Sequence, residues 1–385
     1  MRHHYSSTLI VALGLALSGP IFAADAAKLI EQLRATDVDA RRDATEALGR
    51  QGPAAVEAVP ALLAALKDED GRVRANAAWA LGKMPAAATQ STTALIAAMD
   101  DGDWTVRHNA ALSLTWIGSD AVPALHKAIT EASPRISVMS VSALQRIDAP
   151  QARGAAPILI KHLASEDEEV RAIAAQCLGA IGPSASAAVP ALIATLEDKN
   201  IVVRGCAVTA LGAIGPAARE AVPHLTKILV PETTSRVRIA TAKALAAIGD
   251  SPEIWMPGMI AMFKPTREES VPTAAVVTLS GLGTTALPYL VRALDDTEGQ
   301  VREFAVETLG LIGPKASPSV EAVVQRLKDD RPEVREKAAN ALGHIGVAND
   351  RVLNALREAT RESHEGVRAR AQESLDRLAR STAKA

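Results

Sequence analysis

A pattern that recurs around one arginine limits this chain to repeat architectures more strongly than any other feature. With that arginine counted as position zero, the register falls at eleven places separated by 30 to 34 residues. The eleven register residues are Arg41, Arg74, Arg107, Ser137, Arg171, Arg204, Arg238, Pro272, Arg302, Arg335 and Arg368. A period of this length predicts stacked two-helix units, each of which buries its apolar face against its neighbours.

The residues around each register position form the apolar stripe of a helix. Val precedes position zero in nine units, Ala stands at position three in nine, and Leu stands at position seven in all eleven. These spacings of four residues place the side chains on one helical face. Position eleven is Gly in eight units, where a helix end needs a left-handed residue. These glycines are Gly52, Gly118, Gly182, Gly215, Gly249, Gly283, Gly313 and Gly346.

A second, shorter helix is predicted before each of these helices. Its proline, as in Pro60 and Pro190, suits a first helical turn, where no hydrogen bond is lost. An acidic loop then leads into the register helix. Asp four residues before position zero is predicted to cap that helix, at Asp37, Asp70, Asp103 and Asp167.

The pattern VRxxAxxALGxIGPxAxxAVPxLxxxLxD, clearest from Val170 and Val203, resembles the short HEAT-like repeat first recognised in phycobilin lyases and found in many scaffold proteins. The resemblance covers about residues 27–380. It implies an all-α, right-handed α-solenoid of about eleven HEAT-like helix pairs, with the second helices on the concave side. It also implies that the recurring charges form a hydrogen-bonded ladder between units. The ladder arginines are Arg41, Arg74, Arg107, Arg171, Arg204, Arg238, Arg302, Arg335 and Arg368.

The arginines themselves favour the same structural interpretation, since a charge repeated at every layer is more economically a packing element than a ligand contact. Two units depart from the register, with Ser137 in the fourth and Pro272 in the eighth. In the eighth unit, loss of the arginine together with the added proline predicts a local bend or a softer joint, and neutral drift in a tolerant repeat is the alternative.

The first residues predict an exported protein. Arg2 lies in a short polar start, the apolar run from Thr8 to Leu17 follows, and Ala23 offers a cleavage position. We therefore predict a signal peptide at residues 1–23, a repeat solenoid at 24–385, and a periplasmic or secreted location. A run of this length is too short to cross a hydrocarbon layer of roughly 30 Å, and no membrane span is expected in the mature chain.

Composition narrows the class of partner. The 42 basic and 44 acidic residues nearly balance, whereas a nucleic-acid binder normally has a basic excess, so no nucleic acid is expected. Aromatic residues make up only 2% of the chain, which suits thin helical layers. Cys177 and Cys206 occupy non-equivalent levels of neighbouring helices. We favour two buried free thiols over a disulfide.

The sequence contains no spacing of His or Cys residues that is typical of a metal or catalytic site. No two of the six His residues after the leader stand three or four apart, and neither Cys lies near another ligand at metal spacing. Deoxyhypusine hydroxylase, a HEAT-like di-iron enzyme, uses several His-Glu pairs, whereas this chain has only His364-Glu365. We therefore expect no catalytic residue, no metal and no cofactor. A bilin-lyase-like or accessory enzyme remains the alternative.

One face of the second helices is predicted to bind a protein or peptide partner. Positions two, five and nine lie opposite the Leu stripe and vary freely, which indicates solvent. Trp79 and Trp116 fall on this inferred concave surface in adjacent units, and exposed Trp is over-represented at binding hot spots. Packing of both rings over Ala-rich layers is the alternative. The candidate site is Asn76, Trp79, Lys83, His108, Asn109, Leu112, Trp116 and Arg146.

Overall fold

The computed structural model describes residues 19–229, 235–265 and 270–382, and over these residues the chain contains helices and no strand. The predicted leader thus lies outside the described residues up to residue 18. The chain divides into two compact units, one ending at Ile181 and the other beginning at Gly182. Each is a solenoid of helix pairs, as the sequence predicts. Together the described residues contain all eleven predicted register helices.

The first unit contains α-helices α1 to α11. Their bounds are α1 Gly19–Gln32, α2 Val38–Gln51, α3 Val59–Ala65, α4 Gly71–Gly82, α5 Ala88–Ala98, α6 Trp104–Ile117, α7 Val122–Glu131, α8 Pro134–Ile147, α9 Ala149–Ala152, α10 Ala156–His162 and α11 Glu168–Ile181. Short 3-10 segments lie at Gly52–Ala58, Pro85–Ala87, Gly118–Ala121 and Arg153–Ala155. The register helices α2, α4, α6, α8 and α11 pack one against the next in this order.

The second unit contains helices α12 to α23. Their bounds are α12 Val189–Thr195, α13 Ile201–Ile214, α14 Val222–Ile228, α15 Ser235–Ile248, α16 Pro252–Ala261, α17 Ser270–Leu282, α18 Leu287–Ala293, α19 Gly299–Ile312, α20 Val320–Gln325, α21 Pro332–Ile345, α22 Asp350–Ala359 and α23 Glu365–Thr382. 3-10 segments lie at Gly182–Ala188, Gly215–Ala221, Gly283–Ala286, Gly313–Ser319 and Arg326–Lys328. The register helices α13, α15, α17, α19, α21 and α23 again pack in sequence.

Helix ends follow the predicted signals. All eight position-eleven glycines have positive φ, between 56° and 80°, and this conformation ends each register helix. At the other end, the Asp70 carboxylate accepts hydrogen bonds from the backbone N–H groups of Arg72 and Val73. Asp37, Asp103 and Asp167 accept equivalent bonds at their helices. The capping prediction is therefore confirmed at all four aspartates.

The core of each unit is a thin aliphatic layer. The position-seven leucines are buried in ten repeats, and only Leu375 in the last repeat is partly exposed. Cys177 and Cys206 are both buried and lie outside any disulfide among the described residues, as the sequence predicts. Burial raises the pKa of the Cys177 thiol to about 12, so this group stays protonated and unreactive at neutral pH.

Glycine at position eight sets the spacing of the register helices. A Cβ added at Gly82 would lie 2.6 Å from the Cα of Ser113 in the next repeat, which leaves no room for a methyl group. The close approach lets the Ser113 hydroxyl donate a 2.8 Å hydrogen bond to the Ala78 carbonyl. The absence of a side chain at Gly82 therefore allows α4 and α6 to pack closely enough for this hydrogen bond.

Three segments are long and apolar enough to cross a membrane by length and composition alone: Glu168–Thr195, Ile201–Ile228 and Ser270–Ala293. Each contains one of the positive-φ glycines between its two α-helices. None of the three is therefore one continuous α-helix in this structure. Their apolar residues include the buried position-seven leucines of three repeats.

Candidate partner-binding surface

The recurring arginines join loops within and between repeats. In eight of them, one guanidinium Nη1 donates to the two backbone carbonyls that lie five and six residues earlier. The eight are Arg41, Arg74, Arg107, Arg171, Arg204, Arg302, Arg335 and Arg368. The ninth, Arg238, is buried. Each of the eight side chains therefore holds its own acidic loop against the start of its own register helix.

Several of these arginines also pair with an acid in the following repeat. The N–O distances are 2.8 Å for Arg41–Asp68, 2.8 Å for Arg74–Asp101, 2.8 Å for Arg302–Asp329 and 3.2 Å for Arg335–Glu362. Burial of the Asp101 carboxyl opposes its ionisation. The hydrogen bond from Arg74 and another from a backbone N–H outweigh that effect and lower its pKa. The Asp101 carboxylate is therefore held ionised between two repeats.

The fourth repeat breaks this series. It lacks the arginine at Ser137, whose hydroxyl donates a 2.6 Å bond to the Ile129 carbonyl. Arg107 instead pairs with Glu169, two repeats on, at 2.6 Å. Arg135 in the fourth repeat bonds to Asp167 and lies 3.7 Å from the Glu169 carboxylate. The charges of repeats three to five therefore form one joined network.

The predicted site residues all lie in the first unit, on α4, α6 and α8, except that Lys83 directly follows the last residue of α4. We call the exposed side of these three register helices the tryptophan face. It comprises Asn76, Trp79, Lys83, His108, Asn109, Leu112, Trp116 and Arg146.

Trp79 lies over the preceding repeat. A Cβ built on Gly49 would come 2.2 Å from Cζ3 of the indole, so the ring occupies the space that a side chain there would need. Trp79 is half-buried as a result. Part of its surface therefore contributes to packing between repeats one and two, and the remainder faces solvent.

Lys83 connects the two predicted tryptophans. Its ammonium Nζ lies 3.7 Å from the ring centroid of Trp116 and 5.6 Å from that of Trp79. A cation over an indole face is attracted by the ring quadrupole. The space between the two rings therefore holds the lysine of the protein itself.

The two asparagines have bonding partners within the protein. Asn109 Nδ2 donates a 2.9 Å hydrogen bond to the Ala75 carbonyl, and Asn76 Nδ2 donates a 3.4 Å bond to the Arg42 carbonyl. Both bonds reach the register helix of the preceding repeat. These amide groups therefore connect adjacent helices, as well as bordering the face.

The exposed face of α6 carries an aromatic residue that sequence reasoning missed. Trp104, at the start of α6, is 59% exposed, and its ring stacks on His108 with centroids 4.9 Å apart. Trp116, near the other end of the helix, is 38% exposed, and Leu112 between them is half-buried. Spacings of four residues give a stripe that follows the length of the helix. Arg146 lies exposed on α8.

Trp104 lies outside positions two, five and nine, from which the exposed face was predicted. It stands three residues before Arg107, where the other repeats carry no Trp. The available signal was the four-residue spacing of Trp104, His108, Leu112 and Trp116. Among the described residues, no group of three His, Cys, Asp or Glu side chains is close enough to hold a metal ion.

Comparison with known proteins agrees with the repeat pattern and the helix pairs. The HEAT-repeat family profile matches residues 26–97, 92–163, 155–246 and 287–376. The chain belongs to the HEAT-repeat family. No curated protein sequence gives a significant match to it.

Several solved structures share this HEAT-repeat fold. Kap121p aligns with a TM-score of 0.68 at 14% identity over 92% of this chain and 44% of its own. Kap95 in its complex with Nup1 aligns with a TM-score of 0.64 at 15% identity, over 94% and 56%. Importin beta gives a TM-score of 0.62 at 15% identity, over 92% and 55%. The HEAT-repeat chain thus spans about half the length of these structures, and at this identity the likeness concerns the fold alone.

Proposed function

We propose that this HEAT-repeat protein is a non-enzymatic protein-binding scaffold of an exported compartment, which binds its partner on the tryptophan face. The observation that carries the proposal is the exposure of Trp104 and Trp116 along α6, with Lys83 placed over the Trp116 ring. Large aromatic side chains left partly in solvent are typical of binding hot spots.

The fold supports a protein partner over a small substrate. HEAT solenoids are quasi-one-dimensional stacks that present extended surfaces, and such surfaces suit proteins or peptides. Kap95 was solved in complex with Nup1, which is a protein partner on the same fold. A location outside the cytosol rests on the apolar run and Ala23 of the predicted leader.

The test is site-specific photo-crosslinking in the full chain. A crosslinking amino acid at Leu112, which is half-buried at the centre of the tryptophan face, should capture a protein partner in the exported fraction. The matched control carries the same crosslinking amino acid at Lys127. This residue is exposed on α7, one of the shorter helices that precede the register helices. Equal capture from both positions, or none from Leu112, would reject the tryptophan face as the binding surface.

A further inference from the structure

The charges on the tryptophan face are of one sign. Helices α4, α6 and α8 contain no Asp or Glu, although acidic residues outnumber basic ones in the whole chain, 44 to 42. The same three helices carry the basic side chains Arg72, Arg74, Arg107, Arg135 and Arg146, and Lys83 directly follows α4. The register helices of repeats two to four therefore carry basic charges only, within a slightly acidic protein.

Three of these cations are not neutralised by the protein. Arg74, Arg107 and Arg135 pair with carboxylates of later repeats. In contrast, no carboxylate among the described residues lies within ion-pair distance of the other three, which are Arg72, Lys83 and Arg146. Their charges are therefore free to attract an anion.

In the first repeat, by contrast, arginines of the register helix are paired with carboxylates of the protein itself. On α2, Arg50 pairs with Glu46 at 2.5 Å, and Arg42 pairs with Asp70 at 2.6 Å. Both arginines belong to the same row of register helices as Lys83 and Arg146. The lack of acids on α4, α6 and α8 is thus not a property of the row as a whole, although α13, α15 and α17 also contain no Asp or Glu.

Unpaired cations and exposed indoles lie on the same surface. Lys83 contacts the face of Trp116, and Arg146 stands on the next register helix at the same register position as Trp116. Trp104 and His108 extend the aromatic surface toward the start of α6. A ligand that fits must offer carboxylates beside apolar or aromatic side chains, over a length comparable with the roughly 18 Å rise of twelve helical residues.

We infer that the tryptophan face binds an acidic peptide segment in which carboxylates alternate with aromatic or apolar side chains. This inference rests on the proposed scaffold function and names the chemistry of its partner. The carboxylates pair with Lys83 and Arg146, while the apolar side chains contact Trp104 and Trp116. A charged surface of this kind raises the association rate and loses affinity at high salt.

The test measures binding of two short fluorescein-labelled peptides to the full chain by fluorescence anisotropy. One alternates Glu with Phe, and the other alternates Lys with Phe. The variants are Lys83→Gln and Arg146→Gln, each expected to weaken binding of the Glu peptide by roughly two- to fivefold, since exposed ion pairs are individually modest. The control is Lys161→Gln, which removes an equal charge from an exposed position on α10. Melting curves of all three variants verify that they fold.

We expect the protein to bind the Glu peptide and not the Lys peptide. Lys83→Gln, Arg146→Gln and added salt should each weaken this binding, whereas Lys161→Gln should leave it unchanged. Equal binding of the two peptides, no binding of either, or no effect of Lys83→Gln and Arg146→Gln would overturn the inference.

Binding to phosphatidylglycerol vesicles and to heparin is measured beside the peptides. Binding to either of these, with none to the Glu peptide, would also overturn it. If Leu112 still crosslinks a protein when the Glu peptide fails, the scaffold function stands and only the acidic chemistry is wrong.

Discussion

Arg107 in the third repeat and Glu169 in the fifth form a two-point ion pair, at 2.6 Å and 3.3 Å, that passes over the fourth repeat. The reason lies in the fourth repeat itself. The acid that would be expected 27 residues after Arg107 is replaced by Pro134, and the arginine of that repeat is replaced by Ser137. Glu169 supplies the missing carboxylate, so the ladder continues across the irregular unit.

Glu169→Ala should therefore destabilise the first unit, by about 1–2 kcal/mol, because it leaves the buried Arg107 guanidinium without its carboxylate. Urea unfolding followed by tryptophan fluorescence measures this unit well, because three of the four Trp residues belong to it. The control is Glu168→Ala, which removes an exposed carboxylate next in sequence. Equal unfolding midpoints for the two variants would mean that the Arg107–Glu169 pair contributes nothing to stability.

The ladder was predictable from the sequence as a repeated motif, but its pairing was not. The positions of the arginines, the eight left-handed glycines and the four aspartate caps all follow from local spacing. The choice of Glu169 depends on how close the third and fifth repeats come to one another, and a spacing of 62 residues gives no local signal. The position of Lys83 between two indoles could not be predicted from local spacing either, because it depends on the separation of α4 and α6.

In the second unit, the Arg302–Asp329 pair should make stability depend on pH in the acid range. Burial of the Asp329 carboxyl opposes ionisation, but hydrogen bonds from Arg302 and from the Arg331 N–H outweigh burial and lower its pKa to about 2. The unfolded value is about 3.9. The carboxylate therefore stabilises the fold above about pH 4, and this stabilisation is lost as the pH falls toward about 2.

The measurement is the urea midpoint of the wild type and of Asp329→Asn at several pH values, followed by far-ultraviolet circular dichroism. The variant should be less stable at neutral pH and should lose less stability between about pH 4 and about pH 2. Asp295→Asn, which alters a largely exposed carboxylate, should follow the wild type. An Asp329→Asn curve parallel to that of the wild type throughout this range would contradict the prediction.

Gly49 and Trp79 should be coupled. Gly49→Ala places a methyl group on the Trp79 ring and should cost roughly 1–3 kcal/mol through overpacking. In a Trp79→Ala background the ring is gone, and the nearest remaining contact of the added methyl group is the Ala80 Cβ at 3.1 Å. The same change should therefore cost much less there, because the preference of a helix for Ala over Gly, about 0.5–1 kcal/mol, offsets this tight contact. A double-mutant cycle by chemical denaturation measures the coupling. Additive effects would show that the indole moves away from Gly49 at no cost.

Export predicts a shortened chain. If residues 1–23 are a signal peptide, the protein recovered from the exported fraction should begin at Ala24 or within a few residues of it. N-terminal sequencing or intact-mass measurement decides the point. An intact Met1 on exported material would contradict cleavage, and absence of the protein from that fraction would contradict export itself.

The two tryptophans of the face should respond differently to truncation, because the structure gives them different surroundings. Trp79 covers Gly49 and is half-buried, so Trp79→Ala should lower the melting temperature, in line with a loss of roughly 1–3 kcal/mol that is smaller than a full core truncation. Trp116 is 38% exposed and contacts Lys83 across its face. Trp116→Ala should therefore leave the melting temperature nearly unchanged while it abolishes capture of the partner by the crosslinker at Leu112. Trp255→Phe, at a buried indole of the second unit, is the matched control and should retain capture.

If Trp116→Ala melts as early as Trp79→Ala, both rings are packing residues. If capture survives in Trp116→Ala, the partner binds elsewhere on the repeat surface.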